Sequence, residues 1–176
     1  LASSEAALAM CDGRDDLLPA AGIHPHDARD ANPIALDRIA RLANDPRVVA
    51  VGEIGLDFYR DLSARDVQRD VLDAQLAIAI AVAKPVSVHS RGAEEEIFEH
   101  LAAYAERSPL AAADRPAGVM HCFGGTLEQA RRFVEIMNLG AGADRAAVVA
   151  FNSEATDAAP LTHDREALRR AIDGVT

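Results

Sequence analysis

Lysine is nearly missing from this 176-residue chain: Lys84 is the only one among 18 basic residues, which face 28 acidic ones. The resulting net charge of −10 repels a polyanion at long range, so nonspecific nucleic-acid binding through a basic surface is not what this composition suggests. A phosphate-bearing substrate would need metal ions to supply much of the attraction. Cysteine is almost as scarce. Cys11 and Cys122 lie 111 positions apart with no second cysteine near either, which excludes a zinc ribbon, a redox pair and a disulfide framework. Both are expected to be free thiols. The longest apolar run, residues 76–83, falls far short of the roughly 20 residues that span a bilayer. No basic segment precedes the alanine-rich first ten residues, so they do not read as a secretory signal, and a cytoplasmic location is the expectation. Nor does methionine open the chain: Leu1 stands first, and the natural start is expected to lie outside this sequence. No glycine- or serine-rich linker divides residues 1–176, which are read as one domain. At 49% hydrophobic, the chain can bury one sizeable core.

Short apolar runs alternate with longer segments of helical periodicity. Residues 17–23, 48–52, 85–88, 117–120 and 146–151 are brief and apolar, the pattern of strands buried on both faces. Between them, Ile34, Ile39 and Leu42 fall on a helical repeat. Residues 65–82 read as a long amphipathic helix with Val71, Leu72, Leu76 and Ile80 on its apolar face. Ser63 and Asp66 have the spacing of a capping box, with Asp replacing the usual Glu or Gln. Thr126 is the expected N-cap of a helix running to about Asn138, with Gly140 as its stop signal. Strands alternating with helices imply βαβ units and a parallel sheet.

Residues able to do chemistry keep step with this alternation. His24, Glu53, His89 and His121 each follow an apolar run, at intervals of 29, 36 and 32 residues. Eight such units would occupy about 256 residues, close to the roughly 250 of a (β/α)8 barrel, whose catalytic groups sit at the C-terminal ends of several strands. The expected fold class is therefore α/β, a TIM-type (β/α)8 barrel, of which this chain holds about five and a half units.

Four segments carry the chemistry. Gly22-Ile23-His24-Pro25-His26-Asp27 sets two imidazoles two residues apart, so that both can face one side as metal or phosphate ligands. Proline and aspartate equally favour a plain turn there. In Val49-Ala50-Val51-Gly52-Glu53-Ile54-Gly55-Leu56-Asp57, a carboxylate is expected at the exit of an apolar strand. Its burial is costly unless a cation or strong donors meet it, and Arg91 could serve as well as a metal. Pro85-Val86-Ser87-Val88-His89-Ser90-Arg91 ends its run in an imidazole, with Arg91 placed to clamp a phosphate or orient Glu53. In Val119-Met120-His121-Cys122-Phe123-Gly124-Gly125, His121 takes the same place, and Cys122 reads as a packing residue. Singly, each fits a turn or a satisfied core residue. Together they put three ligand-type residues at the ends of successive strands.

The runs GIHPHDA, VGEIGLDFYRD, PVSVHSR and HCFGG, in this order, resemble the TatD family of barrel hydrolases over residues 18–139. The resemblance implies a (β/α)8 barrel related to the amidohydrolases and metal-dependent cleavage of DNA phosphodiesters. It implies that Glu53 bridges two divalent metals and acts in catalysis, and that His89 and His121 hold one of those metals, with Mg, Mn and Zn all open. His24 would lie on the substrate side of the rim, with Arg91 and Tyr59 nearby. Two family features are missing. No histidine precedes Ala20, where the family has a His-x-His pair. The aspartate of a Glu-Thr-Asp segment, a metal ligand and general base, has its nearest counterpart in Glu154-Ala155-Thr156-Asp157, which carries an inserted residue and is expected in a polar loop. Residues 148–152 align better as a seventh strand and 163–174 as the helix after it, so the barrel is expected to be incomplete at both ends. The functional expectation is a metal-dependent hydrolase of DNA. The alternatives are an inactive metal-binding or interaction fragment and a metal-dependent hydrolase of amides or esters.

Overall fold

The computed structural model describes residues 1–113, 115–136, 145–151 and 155–175. Helix α1 (Ala2–Met10) leads into β1 (Ala20–Ala21), a 3₁₀ helix (Pro25–Asp30), α2 (Pro33–Asn44) and β2 (Ala50–Asp57). Then come α3 (Arg65–Val82), β3 (Val86–Arg91), α4 (Glu94–Arg107), the short α5 (Pro109–Ala112), β4 (Gly118–Met120) and α6 (Leu127–Ile136). Strands β1 to β4 form one parallel sheet in consecutive order. Parallel neighbours require crossover connections, and helices supply them here, as in the repeating unit of a (β/α)8 barrel. The expected α/β class with a parallel sheet is what the chain adopts. Among the described residues no helix is long and apolar enough to cross a membrane.

The strands do not end where apolar runs end. β2 was expected over 48–52 but continues to Asp57, and β3 was expected over 85–88 but continues to Arg91. Gly52 and Gly55 fail to stop β2 because they pair with Ser87 and His89 of β3, and sheet pairing overrides their poor strand propensity. Glu53 and His89 therefore lie inside strands rather than at strand exits. β1 is shorter than expected, with Leu18 exposed.

Val51, Ile54, Leu56, Val86 and Val88 turn one face of the sheet toward the helices. They pack against Leu72, Leu76 and Ala79 of α3 and Ile97, Phe98, Leu101 and Tyr104 of α4. Each of the large side chains contributes about 1.5–3 kcal/mol by leaving water. The 18 residues of α3 contain neither glycine nor proline, and the helix stops at Ala83 in a left-handed conformation. The capping box expected at its start does not form. Ser63 instead donates to the His26 carbonyl and accepts the Arg29 N–H, tying the 3₁₀ helix to α3. At α6 the expected cap is present: Thr126 Oγ1 accepts the Gln129 N–H, and Gln129 Oε1 accepts the Thr126 N–H in return. The expected end of that helix at Asn138 and Gly140 lies outside the described residues.

β5 (Ala146–Phe151) covers the expected run, but its partner differs. It pairs antiparallel with β6 (Ala155–Thr162), apart from the parallel sheet, and α7 (Arg165–Asp173) follows. Residues 155–157, expected in a polar loop, are strand because pairing with β5 satisfies their backbone. Glu154 and Asn152 lie outside the described residues. Pro160 is tolerated because both strands of a two-stranded ribbon are edges. One face of the ribbon packs Ala146, Val148 and Ala159 on Leu168 and Ile172 of α7 and Val134 of α6.

Candidate metal centre

Two buried glutamines of α3 set the backbone from which the site hangs. Gln75 Oε1 accepts the Ile23 N–H at 2.6 Å while its Nε2 donates to the Ile23 carbonyl at 3.1 Å. Two helical turns earlier, Gln68 does the same for Asp57, at 2.8 and 3.2 Å, and also donates to the Ser63 carbonyl. One amide holds both backbone groups of Ile23, two residues past β1, and the other those of Asp57, the last residue of β2. His24 follows one clamp and Asp57 sits in the other.

His24 caps the 3₁₀ helix, its Nδ1 accepting the His26 N–H at 3.2 Å, with Pro25 pre-set for the first helical position. This tight turn brings the two rings together, with centroids 4.3 Å apart. His89, on the face of β3 away from the helices, completes the group at 4.7 Å from His24 and 6.0 Å from His26. Ligand atoms of His24, His26 and His89 all lie within 4.8 Å of one another. Among the described residues this is the group of side chains placed to hold a metal ion.

Asp57, only 1% exposed, organises two of the three rings. Its Oδ2 lies 2.7 Å from His26 Nε2 and 3.1 Å from His89 Nε2. Its Oδ1 accepts the N–H groups of Tyr59 and Arg60. Burial alone would raise the pKa of this carboxyl, but the Arg60 N–H and the two imidazoles outweigh it and hold it at about 2. With both Nε2 atoms turned to a carboxylate, each ring offers Nδ1 for a cation, the arrangement by which a carboxylate orients metal-bound histidines. Burial pushes the His24 imidazole below its ordinary pKa, and the neighbouring His89 and His26 add to this against Glu53 and Asp27. His24 is thus held neutral, the form that binds metals.

Glu53 sits where β2 bulges: Gly52 opposes Ser87 and Ile54 opposes Val88, so Glu53 is the extra residue. The bulge turns its carboxylate to the histidine face, with Oε1 3.3 Å from His89 Nδ1. Gly55 permits the close approach of β3, at φ +140°, where an added Cβ would lie 1.9 Å from the His89 carbonyl oxygen. Arg91 does not pair with Glu53. Its guanidinium lies 4.1 Å over the ring of Tyr59, and both are exposed at the rim.

His121 follows β4 and extends the ladder through its N–H to the Val88 carbonyl. Its exposed ring lies outside the three-histidine group, with Nε2 3.3 Å from Cys122 Sγ. Cys122, expected to pack, is exposed at φ +48°, because the turn after the edge strand β4 carries it away from the core. Of the expected site residues, then, Glu53, His89 and His24 converge, Arg91 and Tyr59 form a separate pair at the rim, and His121 stands apart. His26, a candidate ligand from its spacing with His24 alone, joins the cluster, and Asp57, to which the sequence assigns no role, stands behind it. The signal for Asp57 was present, since it is the first charged residue after the GEIGL run.

A family model described as TatD related DNase matches residues 1–168. The chain belongs to the TatD family. It is 37% identical over 116 residues to the 3'-5' ssDNA/RNA exonuclease TatD of Klebsiella pneumoniae, covering 66% of this chain and 41% of that protein. It is 35% identical over 130 residues to the uncharacterized metal-dependent hydrolase YabD of Bacillus subtilis, covering 74% of this chain and 48% of YabD. Among solved structures, the TatD homologue YjjV of Escherichia coli K12 superposes with a TM-score of 0.64 at 32% identity, over 75% of this chain and 49% of YjjV. A TatD-family hydrolase from Entamoeba histolytica, at 22% identity and a TM-score of 0.63, shares the fold. The chain thus spans less than half the length of the two curated relatives, and the region that matches TatD-family proteins carries the histidine cluster.

Proposed function

We propose that this chain carries part of the active site of a metal-dependent hydrolase that cleaves phosphodiester bonds of single-stranded nucleic acid from the 3′ end. The observation behind this reading is the three-imidazole cluster, with Asp57 behind it and Glu53 beside it, at the C-terminal side of a parallel sheet. Neutral imidazoles with an adjacent carboxylate suit Zn²⁺ or Mn²⁺, and Mg²⁺ less well. The TatD relatives whose names specify a substrate act on single-stranded DNA and RNA.

His89 and Glu53 would hold a divalent cation, joined by His24 and His26. The cation would supply Lewis-acid activation of water and of the phosphoryl oxygens. Asp57 keeps the His26 and His89 imidazoles oriented without being consumed. Arg91, braced against Tyr59, would bind a substrate phosphate through its planar fork. The TatD resemblance names His121 as a ligand where the geometry names His26, and the two sets separate cleanly in a titration. Loss of metal affinity in His26→Ala and not in His121→Ala supports the cluster, and the reverse supports the resemblance. Release of nucleotides from single-stranded DNA that needs metal and disappears in Glu53→Ala tests the activity. Failure with every divalent metal, alongside intact metal binding, would favour a binding fragment, and turnover of esters or amides alone would reassign the substrate.

A further inference from the structure

A cavity of about 580 Å³ opens beside the histidine cluster, between the turn that leaves β3 and the turn that enters α6. His89 belongs to its wall, so whatever fills it lies next to the candidate metal centre. Polar side chains line it: Arg91 from the end of β3 and Glu94 from the start of α4, with Thr126 and Gln129 where α6 begins. Gly124 leaves one stretch of wall bare: a Cβ added there would meet nothing beyond its chain neighbours closer than the Cys122 carbonyl oxygen, at 4.0 Å.

One of these groups points to a ligand. Glu94 opens α4. The next two residues, Glu95 and Glu96, pair with Arg132 and Arg69, whereas Glu94 lines the cavity with Oε1 accepting the Gly92 N–H. Among the described residues its second oxygen has no partner, which leaves it for a donor that the ligand brings. Gln129 complements it, because its Oε1 is engaged by the Thr126 N–H while its amino end has no partner among the described residues and can donate.

A carboxylate in a pocket that receives nucleic acid selects which part of the strand can enter. A terminal sugar brings a hydroxyl, which donates to the carboxylate. An internal nucleotide, or an end capped with phosphate, brings a second anion that the carboxylate repels. We propose that this cavity receives the sugar of the terminal nucleotide, with Glu94 accepting a hydrogen bond from its free 3′-hydroxyl and Arg91 holding the phosphate on its other side. Gln129 donates to the same nucleoside. The inference rests on the nucleic-acid reading above and assigns the recognition of a chain end to Glu94, away from the metal ligands.

The test is a binding measurement. A 5′-fluorescein-labelled single-stranded hexanucleotide, joined by cleavage-resistant phosphorothioate linkages and ending in either a 3′-hydroxyl or a 3′-phosphate, is titrated with the full chain in the presence of Zn²⁺ and followed by anisotropy. The hydroxyl end binds about tenfold or more tightly, and Glu94→Gln, which keeps an acceptor but removes the charge, brings the two within about threefold by admitting the phosphate end. Equal binding of both ends by the unaltered chain, or discrimination that survives Glu94→Gln, overturns the proposal and leaves the nuclease reading standing. Binding of neither oligonucleotide overturns both.

Discussion

Asp57 is buried, ionised and fully engaged, and its loss leaves two imidazoles and two N–H groups without an acceptor. Asp57→Ala is expected to cost about 3 kcal/mol of stability, read from denaturant midpoints, because breaking a buried charged pair strands its partners. The pH dependence follows from the sign of the shift. Because folding lowers this carboxyl from 3.8 to about 2, the contribution is complete above the ordinary carboxylate range and is lost as pH falls through about 2. Melting temperatures from pH 5 to 2 should therefore fall less steeply in Asp57→Asn than in the unaltered chain, and parallel slopes would contradict the assignment. Gly55 makes a second residue-scale case. Any side chain there meets the His89 carbonyl at a φ that only glycine adopts readily, so Gly55→Ala should both destabilise the chain and weaken metal binding.

At the scale of elements, α3 does more than cover the sheet. Its buried Gln68 and Gln75 clamp Asp57 and Ile23, so replacing either with leucine leaves a strand-end N–H and carbonyl buried and unpaired. Each change is expected to cost about 2–4 kcal/mol by chemical denaturation, and a value under about 0.5 kcal/mol would show that water takes over the clamp. These glutamines were illegible in the sequence because polar residues on an amphipathic helix ordinarily face solvent. What was legible is the alternation itself: four of the parallel strands and the helices between them follow from runs of Val, Ile and Leu set between helical repeats. Strand ends were not, because Gly52 and Gly55 read as stops and only pairing with β3 keeps them in β2. The β5 run was legible as a strand, but its antiparallel partner β6 was hidden by Pro160 and an alanine-rich, largely exposed sequence. At the site, Glu53 and His89 stood out as polar residues at the ends of apolar runs, and His24 and His26 as two imidazoles at a spacing of two. Asp57 became visible only when the longer β2 brought it beside His26 and His89.

For the molecule as a whole, the parallel sheet places the ends of β1, β2 and β3 along one edge, which lets residues far apart in sequence share one cation. With a net charge of −10, the chain gains little from charge-driven contact with a polyanion, and a bound cation would reverse the local sign at this edge. A cation that binds the folded chain should also stabilise it, raising the melting temperature in proportion to the logarithm of its concentration. Isothermal titration of Zn²⁺ and Mn²⁺ into the unaltered chain, His26→Ala, His89→Ala and the surface control His100→Ala is the decisive experiment. The expected result is about one cation per chain, with affinity reduced at least about tenfold in His26→Ala and His89→Ala and preserved in His100→Ala. Equal affinities in all four proteins would contradict a metal centre built from the ends of β1, β2 and β3.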